Sequence, residues 1–571
     1  MRPCARAIHL ILAFAAAAFP FWPASAAAPT LVLQVKPELD LGQVPPLYRP
    51  SVMLSWAEPP ALERLLALPG PFGALRFNFE LLTQRVDREQ AFFDELLREA
   101  ALLPKLLERD ARLLVTMVRM PAWLSSSSST RREPSYGYTH REAVHPKSQE
   151  AYQRFAERVA RTLAPLAPGR LWYEGWNEPE ADGFWKSGRQ ELFDTWDSLA
   201  RGVRAGDPKA RIGSPCFAGW STTTPAPRPN APALLLEDFI RFSAARPDRQ
   251  ASPDFICWHN FGKFPEEEWW GAASIREWLA AASLPRDLPQ VVSEWNLWTT
   301  FPSEFDPLRD GAQGAAYVAS TLHAMDRAGV RYQTIATLQD FRASGSTDPF
   351  HGDFGLMTRS PLIEKASFKV LAMQARLLSQ RIGVEFSDTA VADANALNAI
   401  ATRDAHGRTV LMVSRYSGDS RGAFIRSLGR AGYPAGRGLS ISGKRLEQFI
   451  EGGRELGTGE VDTKQTEALT NARRVARSSP AAEAKLPLRL QLPADLGTRW
   501  KYSIYIIDSE NHNPQATFRA ARTSGRSQAE AIAAAQAVGF APTLSGTGSI
   551  PELTLERYAV VLYVLEPASA R

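Results

Sequence analysis

At 571 residues the chain is too long for a single core, and about two to four domains are expected. A content of 44% hydrophobic and 22% charged residues fits a globular protein. The 66 basic and 61 acidic residues give a net charge of only +5, and no dense Lys/Arg stripe interleaves with aromatics, which argues against nucleic acid as a partner.

Residues 1–26 have the three parts of a secretory signal: Arg2 and Arg6, an apolar run around Ile8–Phe21, then Ala24-Ser25-Ala26. The alternative is a membrane anchor, but the run is short for a span, is broken by Pro20 and Pro23, and contains His9. Cleavage after about Ala26 is the expectation, leaving a periplasmic or secreted protein with 64 basic against 61 acidic residues. No later apolar segment of about 20 residues follows, so the mature form is expected to have no membrane partner. Cys4 lies in the leader, away from the cleavage site. Cys216 and Cys257 remain, either paired, as export permits, or as buried thiols at strand ends. No Cys/His cluster has metal-ligand spacing, so no metal or other cofactor is implied.

Residues 27–48 carry a strand-like run, Thr30–Val35, expected to join a C-terminal sheet. Between 49 and 384, strand-like runs alternate with helical ones. The strands are Ser51–Trp56, Ala74–Phe79, Arg112–Met117, Arg170–Gly175, Arg211–Gly213, Asp254–Trp258, Gln290–Ser293 and Gln333–Leu338. The helices include Arg88–Leu107, Glu150–Leu163, Gln190–Arg204, Ala273–Ala282 and Gly311–Ala328, with apolar residues at three- and four-residue steps. Eight such units predict an α/β fold, a (β/α)8 TIM barrel. The rival, a doubly wound sheet, lacks a glycine-rich phosphate turn after its first strand. Ser125–Ser129 reads either as a solvated linker or as an active-site lid, and Trp220–Pro232 as another long loop. From 385 to 571 short β runs (Ala396–Thr402, Arg408–Arg415, Leu486–Leu492, Lys501–Ile507, Tyr558–Leu565) predict an accessory antiparallel β-sandwich domain. It would carry one surface helix, Gln528–Val538, and an exposed loop, Arg473–Ala484. There is no internal repeat.

The chemistry gathers at strand ends, the functional face of a barrel. Glu178, in Trp176-Asn177-Glu178-Pro179, follows the fourth strand, and Pro179 favours an extended Glu178. Glu294, in Ser293-Glu294-Trp295-Asn296, follows the seventh. Arg76 and Asn78 end the second strand, Trp123 follows the third, and His259 and Asn260 end the sixth. Either glutamate alone reads as a salt-bridged strand-end residue. Two at matching ends, each with a Trp and an Asn beside it, supply what glycosidic cleavage needs: one carboxyl to protonate the leaving oxygen, one to trap the cationic sugar carbon. Asn177, His259, Arg76, Asn78, Trp123, Trp295 and Asp340 are the candidate substrate-binding residues around the catalytic Glu178 and Glu294. Trp269-Trp270 reads equally as a sugar platform or as packed residues.

Trp176-Asn177-Glu178-Pro179 and Ser293-Glu294-Trp295-Asn296 resemble the acid/base and nucleophile motifs of the retaining glycoside hydrolases of clan A. The fuller pattern is similar to glycoside hydrolase family 39, the β-xylosidases and α-L-iduronidases. It includes Asp254-Phe255-Ile256-Cys257-Trp258-His259, Pro349 to Leu356 followed by Lys365-Ala366-Ser367-Phe368, Pro45-Pro46-Leu47-Tyr48, and Tyr505-Ile506-Ile507-Asp508. The resemblance implies that Glu178 is the acid/base, Glu294 the nucleophile, and Asn177 a partner for the sugar hydroxyl beside the reacting carbon. The implied function is a retaining glycosidase acting on a poly- or oligosaccharide. The chain departs from the family at Asn78 (often His), Phe261 (Tyr in the xylosidases) and Ala336 (Trp). Family basic positions fall near Phe261 and Asp353, which weakens a uronate-binding reading, while Lys263 close by keeps it open. A non-catalytic carbohydrate-binding protein on the same fold is the alternative; a structural partner in polysaccharide export ranks below it. The sugar, the linkage and the oligomeric state stay open.

Overall fold

All eight of the strand-like runs become parallel barrel strands. The computed structural model describes residues 30–567 apart from 56, 79–85, 118, 134–137, 182, 219–235, 247, 249–251, 301–302, 344–347, 418–419, 431–447, 457–462, 479–483 and 494–498. Residues 1–29 (the expected signal segment among them), Trp56, Phe79 and the Trp220–Pro232 stretch therefore lie outside the described residues. After β1 (Leu31–Gln43) come β2 (Val52–Met53), β3 (Ala74–Asn78), β4 (Arg112–Thr116), β5 (Leu171–Glu174), β6 (Arg211–Ile212), β7 (Ile256–Gly262), β8 (Gln290–Leu297) and β9 (Tyr332–Ile335). They pair in the order β6-β5-β4-β3-β2-β9-β8-β7. Parallel bridges Gly213↔Phe255 and Phe217↔Trp258 join the β6 side back to β7 and close the ring.

Strand alternation sends one set of side chains inward and the other out to the helices. Ala74, Leu114, Trp172, Cys216, Phe255, Cys257, Val291 and Tyr332 form the inner layer. The outer set packs on helices such as Gln149–Leu163, Arg189–Gly206 and Ala312–Arg327. The expected helix Arg88–Leu107 is instead two, Glu89–Ala100 and Leu103–Leu107. Pro104 explains the break, since it lacks an N–H and its ring crowds the carbonyl four residues back.

The second sheet has nine strands in the order β15-β14-β17-β12-β11-β10-β1-β13-β16. They are β1, β10 (Gln380–Phe386), β11 (Leu397–Arg403), β12 (Thr409–Tyr416), β13 (Lys485–Gln491), β14 (Trp500–Ile507), β15 (Leu544–Gly548), β16 (Leu553–Glu556) and β17 (Tyr558–Pro567). Every pairing is antiparallel except β1 with β13. Leu486 and Leu555 from one end share a core with Trp500, Ile504, Val561 and Tyr563 from the other, so the sheet doubles over as a sandwich. Along β12, Leu411 and Val413 face that core while Val410 and Met412 face the barrel. Both faces of β12 are thus covered, which explains its continuous apolar run. Ser320 Oγ donates to Ser414 Oγ at 2.9 Å across the junction.

Two elements differ from expectation. Arg473–Ser478 is not loop but the end of a helix, Thr463–Ser478, that packs with Ser420–Arg430. Leu428, Phe424, Leu469 and Ala472 form the seam, and Trp270 is buried in it. Trp270 is therefore a packing residue, not a sugar platform. A second surface helix, Pro514–Thr523, accompanies Gln528–Gln536.

Candidate active site

β7 and β8 run further than their sequences suggested, so His259 and Glu294 lie within strands and not at their tips. Trp258 pairs with Val292 but His259 pairs with Glu294, leaving Ser293 as a one-residue bulge. Such a bulge re-aims the side chains after it. Here it sets Glu294 against the inward-facing Arg76, with a carboxylate only 12% exposed.

Glu178 is placed by the neighbouring strand. Cys216 N–H donates to Trp176 O at 2.8 Å, and Glu178 N–H to Cys216 O at 2.6 Å, extending the β5–β6 pairing as far as Glu178. Glu178 then turns with φ +42°, left-handed and not extended as Pro179 suggested. A non-glycine residue in this region stores local strain, which concentrates at functional sites. Gly175, just before, is needed for a close approach: a Cβ there would sit 2.2 Å from Trp196 Cδ1. That indole ties the two strands by donating to Gly213 O at 2.8 Å.

One buried guanidinium organises the site. Arg76 Nε donates to Glu174 Oε2 at 2.6 Å, Nη2 to Asn177 Oδ1 at 2.8 Å, and Nη1 to Glu294 Oε1. Thr116 Oγ1 also donates to Glu174 Oε2, at 2.7 Å. Across the mouth, His259 Nδ1 lies 2.9 Å from Glu178 Oε1. Donor atoms of Glu178, His259 and Glu294 all lie within 4.8 Å of one another, so the two carboxylates face each other across a narrow gap. Burial pushes Glu294 above the ordinary carboxylate range, with His259 and Arg76 pulling it back and Glu178 adding to the rise. Burial lowers His259 to about 4, so its imidazole is neutral at neutral pH. The three donors could also hold a cation. A second such group, Glu174 with Cys216 and Cys257, has its sulfurs joined to each other in a disulfide.

The other candidates separate. Arg76, Asn177 and His259 join the pair. Asn78 ends β3 opposite Thr116, but its side chain lies outside the described residues. Trp123 packs edge-on against Phe92 and Phe155, with centroids 5.9 and 6.1 Å away, between helices. Trp295 is fully buried, donates to Gln333 Oε1 at 2.9 Å and leans on Tyr317 of an outer helix. Asp340 is fully buried and held by Lys365 Nζ at 2.7 Å and Gly355 N–H at 2.8 Å. Phe261 meets Trp298 and Phe354 edge-to-face at 5.8 and 5.3 Å. Ser125–Ser129 is fastened down: Ser125 Oγ donates to Arg141 O at 2.6 Å and Ser126 N–H to His145 O at 3.1 Å. Glu174 was missed by sequence reasoning. Its signal was a carboxylate two residues after inward-facing Trp172, on the inward side of a fully buried strand.

The profile of glycosyl hydrolases family 39 matches residues 77–421, well over half of the sequence. The chain belongs to this family. As a family 39 glycoside hydrolase it shares 28% identity over 173 residues with a beta-xylosidase of Geobacillus stearothermophilus. That match covers 27% of this chain and only 31% of the relative's length. Among solved structures, a monomeric beta-xylosidase from Caulobacter crescentus CB15 superposes with a TM-score of 0.64 at 18% identity, covering 94% of this chain and 100% of the other. The GH39 enzyme from Xanthomonas axonopodis pv. citri gives 0.64 at 19%, covering 96% and 100%. A bacterial orthologue of human α-L-iduronidase gives 0.61 at 14%, covering 95% and 84%. At these identities the likeness is one of fold, a TIM barrel with an accessory β-domain. This member of family 39 has no helix among its described residues long and apolar enough to cross a membrane.

Proposed function

We propose that the protein is a retaining glycosidase working by double displacement, with Glu294 as nucleophile and Glu178 as acid/base. The observation that carries this reading is the spacing within the Glu178, His259 and Glu294 group, whose donor atoms are within 4.8 Å of one another. Retaining enzymes hold their carboxyl groups about 5–5.5 Å apart, whereas inverting ones leave roughly 6.5–9.5 Å for a water. Glu294, aimed by Arg76, attacks the anomeric carbon while Glu178 protonates the departing oxygen. Glu178 then takes a proton from the water that releases the sugar. Asn177, whose oxygen is held by Arg76, keeps its amide nitrogen for the hydroxyl beside the reacting carbon. Neutral His259 holds the Glu178 carboxyl in one orientation through both steps. β-Xylosides are the first substrates to try, on the strength of the curated relative. Export to the periplasm or beyond is proposed with it, supported by the signal-like N-terminus and the Cys216–Cys257 disulfide.

The test replaces Glu178 and Glu294 separately by Gln and assays aryl glycosides, with the anomer first released read by proton NMR. Loss of about 10²–10⁴-fold in each variant, with retained configuration in the unmodified protein, is the expected result. Inverted product, or an active Glu294→Gln, overturns the assignment.

A further inference from the structure

The proposed mechanism uses Glu178 and Glu294 but leaves a third buried carboxylate, Glu174, unexplained. It is the last residue of β5, has no solvent exposure, and takes donors from both Arg76 and Thr116 on one oxygen. Its other oxygen finds no partner among the described residues. Two carboxylates thus share one buried guanidinium, Glu174 on its Nε edge and Glu294 on Nη1.

We propose that Glu174 is a positioning and charge-balancing residue: it keeps Arg76 compensated while Glu294 passes from carboxylate to ester and back. The role rests on the reading of Glu294 as nucleophile. In the first step a Glu294 oxygen bonds to the anomeric carbon, and the glycosidic C–O bond breaks with its electrons on the leaving oxygen. That oxygen takes the Glu178 proton, and Glu294 becomes a neutral ester. With Glu294 as its only counter-ion, Arg76 would then be an unpaired buried cation, among the costliest states in a protein interior. With Glu174 in place, the buried pair before and after the step is the same Arg76–Glu174 ion pair, and only the excess negative charge moves, from Glu294 to the Glu178 carboxylate that has given up its proton. Geometry supports the same role. By occupying Nε, Glu174 leaves the two Nη groups pointing at Glu294 and Asn177, the two residues that meet the sugar. The fork of an arginine fixes those directions relative to one another. Glu174 also weakens the hold of Arg76 on Glu294, since part of the cation's field is spent on Glu174, which leaves the nucleophile more reactive.

The consequence is asymmetric. Removing the Glu174 charge stabilises carboxylate Glu294 and destabilises the ester, so forming the glycosyl-enzyme slows while its breakdown does not. The experiment uses the full chain and dinitrophenyl glycosides of xylose, glucose and galactose that bear fluorine in place of the hydroxyl beside the anomeric carbon. Labelling of Glu294 is followed by peptide mass, and reactivation by return of activity. Glu174→Gln, which is isosteric and still accepts from Arg76, is expected to label about tenfold more slowly, with reactivation at least as fast as in the unmodified protein. The acid limb of its labelling rate moves down by about one pH unit. Glu174→Asp keeps the charge and is expected to hold the acid limb in place; it carries the test if Glu174→Gln does not fold. Labelling and reactivation slowed together, or an unmoved acid limb in Glu174→Gln, or a limb in Glu174→Asp displaced downward, each overturns the role. Failure of every probe to label Glu294 in the unmodified protein overturns the nucleophile reading itself, and the role of Glu174 with it.

Discussion

Replacing Arg76 with Met is the sharpest perturbation this site allows. Methionine fills a similar volume without charge, so Glu174 and Glu294 are left facing each other in a buried, uncompensated site. Breaking a buried ion pair by removing one partner costs about 3–5 kcal/mol. The barrel spans roughly 320 residues, and an unfolding entropy of about 2.1 cal/mol/K per residue makes ~4 kcal/mol equal to about 6 °C in melting midpoint. The penalty depends on pH, and its sign follows from the carboxylates. Glu294 is already raised by burial even with Arg76 present, and losing the cation in the variant raises it further. Groups with raised folded pKa favour the fold below the unfolded pKa and lose that contribution as pH rises through the folded one. The deficit of Arg76→Met relative to the unmodified protein is therefore largest near pH 8 and shrinks toward pH 5. Melting curves by circular dichroism at both pH values measure it. A variant melting within about 1 °C of the unmodified protein at pH 8, or with a deficit that grows on acidification, refutes the account of Arg76 as the shared counter-ion.

Two further outcomes follow from groups buried away from water. Burial lowers His323 to about 3, and its Nδ1 lies 3.0 Å from the Tyr48 hydroxyl. A depressed histidine costs stability as pH falls through its unfolded value of about 6.5. His323→Gln is thus expected to gain about 2 kcal/mol on the unmodified protein between pH 7.5 and pH 5, read from urea midpoints. Glu267 and Asp340, each raised to about 8 by burial, titrate in the opposite sense but cancel in this difference. A pH-independent difference refutes the neutral buried ring. The Cys216–Cys257 disulfide closes a sequence separation of 41 residues, for which loop entropy predicts about 4 kcal/mol. Mass spectrometry after alkylation without reductant should find neither Cys216 nor Cys257 alkylated, and the Cys216→Ala, Cys257→Ala double variant should melt lower. Two free thiols in the unreduced, unfolded protein refute the pairing.

The sequence by itself determined the alternation of eight strands with helices, because the periods of two and of three to four are local properties of the chain. It also singled out Glu178, Glu294, Arg76, Asn177 and His259 as neighbours, and the closed barrel brings these side chains into contact. What it could not decide was which way several side chains turn. The Ser293 bulge sets the phase of β8, so Glu294 goes inward and Trp295 goes out to Tyr317. Trp123 and Asp340 went to helix packing and to the Lys365 ion pair because those partners lie far along the chain. The helices Ser420–Arg430 and Thr463–Ser478 escaped for a related reason: each stripe is short, and it is their packing on each other and on Trp270 that buries it. Glu174 is the clearest case. Its residue type was legible, but whether a buried carboxylate is a liability or a counter-charge depends on a single cation, Arg76, nearly a hundred residues earlier. Only the closed barrel brings the two within 2.6 Å.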